Sequence, residues 1–184
     1  MYNNGSIEVF IVASGNSQSD KRFICEGSSS DSDPIYACQI TNQSPQNRLA
    51  VYFRNDAAVA FRSQDAILSD VAMDGSYKIL HWKDTGSSVS ANVNGGATGS
   101  LGYSRSGSVT TNLFCIGGVL RSTFAAGFTG NIKEIIISSP MSNAVSRKIE
   151  SHLAHKWGLS TNTRLGEDGT VRVVRPQVSS LAFT

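Results

Sequence analysis

The sequence predicts an all-β fold: a single antiparallel β-sandwich carrying one helix near its C-terminal end. Three observations predict it. From Ser6 to about Pro140, apolar residues recur with a period of two rather than the about 3.6 of a helix. Clusters of Gly, Asn, Asp and Ser cut this stretch into many short runs at regular spacing. Charged residues are only 16% of the 184, against 40% hydrophobic, and the balance is Ser, Thr, Asn and Gly, as in strands joined by polar turns. A chain of this length is enough for one domain with its own core.

The elements follow in order. Ile7, Val9 and Ile11 alternate with Glu8, Phe10 and Val12, and both sets are largely apolar, so this strand is expected to be central and covered on both faces. Arg22–Glu26 and Ile35–Ile40 flank a Ser/Asp-rich loop with Pro34 and read as a long hairpin. Leu49–Arg54 turns at Asn55-Asp56 into Val59–Arg62. Tyr77–Lys83 turns at Asp84-Thr85-Gly86 into Ser88–Val93, which turns again at Asn94-Gly95-Gly96, where Asn and Gly accept positive φ at little steric cost. Asn112–Ile116 ends at Gly117-Gly118, and Ile132–Ser138 reads as a buried strand.

The period then changes. Val145, Ile149, Leu153 and Trp157 lie four apart, one apolar stripe on a helix over 142–157 with Ser142 as N-cap and Gly158 as its C-terminal stop. The stripe is expected to lie on the sandwich, with Trp157 as anchor. Residues 1–159 form the domain and 160–184 an extension. Ser160–Gly169 reads as polar loop, Thr170–Arg175 as an extra strand ended by Pro176, and Val178–Phe183 as a further apolar run.

Composition excludes some functions. A formal charge of +2, scattered, gives no basic stripe for nucleic acid. No run approaches the ~20 apolar residues of a membrane helix. The polar Met1–Gly5 lacks the pattern of a secretory signal, so the chain is expected to be made in the cytosol or to be a piece of something larger. Cys25, Cys38 and Cys115 fit neither a disulfide framework nor a metal spacing. One Cys25–Cys38 bridge across the hairpin is conceivable, but buried free thiols are the expectation.

Gly127–Ile137 resembles the final strand of concanavalin A-like, laminin-G-like domains. The run Lys148–Leu159, with its Lys156-Trp157-Gly158, resembles the closing helix of a bacterial and phage branch of that superfamily, with His152 at the usual Tyr position. The Val93-Asn94-Gly95 turn resembles the turn before the family's last strands. The resemblance runs from about Ile7 to Leu159. The strands that usually open the family's fold are missing before Ile7, and the tail after Leu159 is outside the pattern. The likeness implies a jelly-roll sandwich, a fold that hosts glucanases, lectins and adhesion modules.

Glucanase chemistry needs two carboxylates about 5 Å apart. The Ile132–Ser138 strand carries only Glu134 and the Ile7 strand only Glu8, neither with a partner two residues away, so no catalytic residue is expected and the chain is not expected to be an enzyme. Glu134 reads instead as a strand-end charge bonded to a neighbouring loop. His81, His152 and His155 lack metal-site spacing. The resemblance makes calcium an option at Asp70, Asp74 and Asp84, but loop aspartates usually form turns, so neither metal nor cofactor is expected.

Two functions remain. One is a structural virion component of a bacteriophage, a capsid decoration protein or a tail-fibre domain, which reaches the outside by lysis without signal or anchor. Its partners would be other virion proteins or copies of itself. Thr170–Arg175 would then cover an open sheet edge in its own or a neighbouring subunit, in an assembly arm of Val171, Val173, Val174, Val178, Leu181 and Phe183. The other is a carbohydrate-binding module, or part of a bacterial surface adhesin, with Trp82, Asn94, Tyr103 and Arg105 as glycan contacts. In that set, core packing competes for Trp82, while Tyr103 between Gly102 and Ser104 is expected to be exposed.

Overall fold

The computed structural model describes residues 6–16, 19–30, 35–41, 47–60, 66–69, 73–161, 163–165 and 171–173. In chain order the strands are β1 (Ile7–Ser14), β2 (Lys21–Gly27), β3 (Tyr36–Ile40), β4 (Leu49–Phe53), β5 (Ala66–Ser69), β6 (Lys78–Asp84) and β7 (Ser88–Val93). Then come β8 (Gly99–Gly102), β9 (Leu113–Ile116), β10 (Val119–Leu120), β11 (Phe124–Ala125) and β12 (Asn131–Ser138). Helix α1 (Asn143–Trp157) is followed by β13 (Thr163–Leu165) and β14 (Val171–Val173).

Ten of these strands make two five-stranded antiparallel sheets, ordered β12-β1-β6-β7-β8 and β5-β4-β3-β2-β9. β5 packs on β7 and β8, and β4 on β7, so the sheets stack as a sandwich whose opposite margin is formed by β12 and β9. β10–β11 and β13–β14 are separate two-stranded ribbons.

The period of two in β1 explains its place. Val9, Ile11 and Ala13 enter the core between the sheets, and Phe10 and Val12 point the other way, onto Leu153 and Ala154 of α1. Every β1 residue is buried, as expected of a strand covered on both faces. Trp82, Tyr36 and Phe23 are the largest fully buried side chains of the central core. At Asn94-Gly95 both residues have positive φ, 50° and 67°, and Gly96 N–H closes the turn onto Val93 O at 2.9 Å. Glycine is required at Gly99 for another reason: a Cβ there would lie 1.6 Å from the Leu68 carbonyl oxygen.

α1 has the predicted caps. Ser142 Oγ accepts from Val145 N–H, and Gly158 is left-handed at φ 65°. Its buried face is a correction. Ser146, Glu150, Leu153 and Ala154 face inward, while Val145 is 41% exposed and Ile149 and Trp157 are half-buried. The helix is turned by about one residue from the apolar stripe because Ser146 and Glu150 bond polar groups on the sheet beneath.

Other differences are local. Of the Val59–Arg62 run, the described part forms a single bridge, Arg54 to Ala60, with Val59 exposed. In the β2–β3 register Cys25 faces Ala37 and Cys38 faces Ile24. Cys38 lies in the central core and Cys25 in a cluster on the sheet's other side, so the conceivable bridge is not formed and all three cysteines are free. Burial pushes the Cys25 thiol up to about 12.

In the tail, β13 lies inside the stretch read as polar loop, and β14 pairs with it rather than with either main sheet. A nearby strand offers its hydrogen bonds at a smaller loop-closure cost than a distant sheet edge. Val171 and Val173 belong to β14. Val174, Val178, Leu181 and Phe183 lie outside the described residues.

Candidate functional site

The outer face of the first sheet is polar where α1 crosses it. The alternation that sends Val9 and Ile11 inward sends Glu8 outward, and the neighbouring strands add His81 and Asn92, which are direct cross-strand partners. Ser146 and Glu150, one turn apart on α1, come down onto these three. His81 stacks on Phe10 with ring centroids 4.2 Å apart.

His81 is held between two carboxylates. Its Nε2 lies 2.8 Å from Glu8 Oε1 and its Nδ1 2.8 Å from Glu150 Oε1. Glu8 also accepts from Ser146 Oγ at 2.6 Å and from Met141 N–H at 2.6 Å. Glu150 accepts from Asn92 Nδ2 at 2.9 Å and from Arg147 at 2.9 Å. Both carboxylates are fully buried.

Burial disfavours charge on all three groups, and the hydrogen bonds outweigh it. His81 is raised above its ordinary value by its bonds to Glu150 and Glu8. Glu8 is lowered by His81, Ser146 and Met141, and Glu150 by His81, Asn92 and Arg147. With a carboxylate at each ring nitrogen, these bonds favour the protonated imidazole. A serine–histidine relay needs a free imidazole nitrogen facing the hydroxyl. Here Ser146 donates to Glu8, and both His81 nitrogens are occupied. The cluster fastens α1 to the sheet. Beside it opens a cleft of about 200 Å³, lined by His81, Lys83, Ser90, Asn92, Asn143 and Arg147 among others.

The glycan candidates from the sequence do not form one site. Trp82 is fully buried and its Nε1 donates to Ala50 O at 3.1 Å, tying the two sheets together, so it is no sugar platform. Asn94 is a turn former whose Oδ1 accepts Ile79 N–H at 2.8 Å. Tyr103 is buried, contrary to expectation: its ring packs on Phe53 and its hydroxyl donates to Asp84 Oδ1 at 2.6 Å. Arg105 lies over the Tyr103 ring, 5.9 Å from its centroid, and 3.9 Å from Asp84 Oδ2. Only Tyr103 and Arg105 are thus joined, around a carboxyl that burial raises above its ordinary value.

Asp84 and Asp74 each accept the backbone N–H two residues on, as turn formers do. Asp70 lies outside the described residues. Among the described residues, no group of three or more His, Cys, Asp or Glu is placed to hold a metal ion. Glu134 bonds the end of α1 rather than a loop, accepting from Trp157 Nε1 at 2.6 Å and Lys156 at 3.0 Å. His152 and His155 are exposed.

A second feature is apolar. On β9, Ile116 pairs with Ile24, whose side chain is in the central core, and Phe114 pairs with Glu26 two residues along the same face. Both therefore sit on the core-facing side of the sheet, yet they are 56% and 43% exposed. Phe124 on the adjacent ribbon is 61% exposed, its ring lying over Gly118. Across the margin, Ile132, Ile135 and Ile137 of β12 reach the core only half-buried. The β9–β12 margin thus leaves large apolar side chains partly in water, although Phe128 packs on Phe23 at 4.6 Å and its N–H donates to Gly117 O at 2.8 Å at the end of β9.

In the sequence Glu8 reads as an isolated carboxylate, and its cluster with His81 and Glu150 appears only in the fold. The available signal was Glu8 within the apolar run 7–13 and His81 within the apolar Ile79–Trp82, with Glu150 one helical turn from Ser146. No protein-family model matches the chain, and no curated protein matches it.

Proposed function

We propose that this chain is a non-catalytic assembly module, a structural component of a bacteriophage virion such as a capsid decoration protein or a tail-fibre domain. The observation that carries the assembly reading is the exposure of Phe114 and Ile116 on the core-facing side of an edge strand. Large apolar groups left in water beside an unpaired edge mark a place where another chain binds. The buried ionic cluster fits a scaffold role, since Glu8 and His81 of the sheet bond Met141, Ser146 and Glu150 at and within the helix. The particle itself is suggested by the resemblance of Gly127–Ile137 and Lys148–Leu159 to the phage branch of laminin-G-like domains.

Sedimentation velocity of the full chain, with immunodetection in particle fractions of the native source, tests the reading. Self-association and presence in particles support it. A concentration-independent monomer absent from particles overturns it.

A second reading, carbohydrate binding, is favoured by the cleft beside α1. Asn143, Ser90 and Thr98 there offer an amide and hydroxyls that sugar hydroxyls bond, with Lys83 and Arg147 beside them for acidic sugars. A glycan array with wild type and Asn143→Ala tests it: glycan signals weakened in the variant support it, and no binding by wild type removes it.

A further inference from the structure

The assembly reading leaves open what the β9–β12 margin accepts. We infer that it is the acceptor for the C-terminal segment 174–184 of a second copy of this chain, which enters between β9 and β12 as a donated strand. The inference rests on the assembly reading and adds the partner and the site.

The acceptor is defined by shape and chemistry. Among the described residues, β9 and β12 are each the last strand of their main sheet, with a strand partner on one side. The walls are apolar, Phe114 and Ile116 from β9 and Ile132, Ile135 and Ile137 from β12. The described edge of β9, Leu113-Phe114-Cys115-Ile116, has neither the lysine nor the proline with which exposed edges are usually guarded. Strand addition satisfies such an edge through main-chain bonds, and alternate side chains then enter the wedge.

The donor is defined by sequence. Leu181 and Phe183 are two apart, so an extended strand turns both to one side, matching the two-residue spacing of Phe114 and Ile116. Residues 174–184 contain no lysine, aspartate or glutamate, and their one arginine and proline, Arg175 and Pro176, precede the apolar part. A donated strand with a charged face would leave charge in the wedge, and this one does not. The segment leaves β14, whose ribbon lies against α1 on the outer face of the first sheet. Fully extended, it spans roughly 35 Å, enough to cross to a neighbour.

A complementation experiment on full-length chains tests this. Phe114→Lys with Ile116→Lys makes an acceptor-blocked chain, and both positions face water, so the fold should tolerate them. Leu181→Asp with Phe183→Asp makes a donor-blocked chain. Each alone should associate at least about tenfold more weakly than wild type, while the two mixed should restore a one-to-one dimer by sedimentation velocity. If wild type associates but the donor-blocked chain does so equally well, the tail is not the occupant and the inference fails while the assembly reading stands. Equal association by the acceptor-blocked chain removes the seam as the site. A wild type that is monomeric at every concentration and absent from particles overturns the assembly reading first, and this inference with it.

Discussion

His81 and Glu150 sit 2.8 Å apart across the boundary between sheet and helix, and that contact, together with Glu8 on the ring's other nitrogen, makes a buried ionic bridge out of what would otherwise be an apolar helix seat. A bridge of this kind is costly to assemble and costlier to break at one end, because the remaining charges stay buried without a counterion.

His81→Gln is therefore expected to lower unfolding free energy by about 3–5 kcal/mol, the usual range for removing one member of a buried ionic pair. Chemical denaturation at neutral pH measures it. A loss under about 1 kcal/mol would mean the cluster is effectively solvated.

Stability should also depend on pH in a directed way. The raised His81 contributes fully below its ordinary value of about 6.5, and the contribution drains away as pH rises through the higher folded value. The lowered Glu8 and Glu150 contribute fully above about 4.3, and their contribution is lost as pH falls through the lower folded values. Asp84, raised by burial, works the other way, opposing folding as pH climbs above its ordinary range. Denaturation midpoints should peak between the ordinary Glu and His values and decline on the alkaline side. His81→Gln should flatten that alkaline decline, and an unchanged slope would assign it elsewhere.

On α1 the order of truncation costs is set by burial rather than by side-chain size. Leu153 is fully buried, so Leu153→Ala should cost about 2–5 kcal/mol. Trp157 is only half-buried, with its indole N–H on Glu134 and Lys133 over its ring, and Trp157→Ala should cost less, about 1–3 kcal/mol. Thermal or urea unfolding of the two variants compares them directly, and the reverse order would place the helix's anchor at its C-terminal end.

Gly99→Ala should be far more damaging than Gly102→Ala. The first puts a methyl into the Leu68 carbonyl, and the second meets only Ser87 O at 3.9 Å. The expected difference is about 2 kcal/mol or more, read from urea midpoints. Equal midpoints would show that β5 can move away from β8.

The parts of the fold visible in the sequence were those with a local cause. Period-two alternation marked β1, β6, β7 and β12, and Asn94-Gly95 marked a turn, because each signal lies within a few residues. The helix limits at Ser142 and Gly158 were legible for the same reason. Its buried face was not, since Glu150 and Ser146 turn inward only because Glu8 and His81 wait on strands far away in the chain. Tyr103, between small polar neighbours, looked exposed because Asp84, which draws its hydroxyl inward, comes from a different strand. The β9–β12 margin was not legible: the strands missing before Ile7 suggested an open edge to be covered by Thr170–Arg175, yet β1 lies in mid-sheet and β14 pairs with β13. That Phe114 and Ile116 line the margin depends on the β2–β9 register, which no local pattern encodes.

The position of β1 also has a consequence for synthesis. It lies between β6 and β12, pairing Glu8 with Lys83 on one side and with Ser138 on the other, and its Glu8 is closed over only when the Met141 and Ser146 region arrives. This entirely buried strand is thus made early and completed late. While the ribosome adds the intervening residues, an apolar ribbon stays bare, so slowed translation or a shortage of holding chaperones should harm the yield of this protein more than its equilibrium stability would suggest.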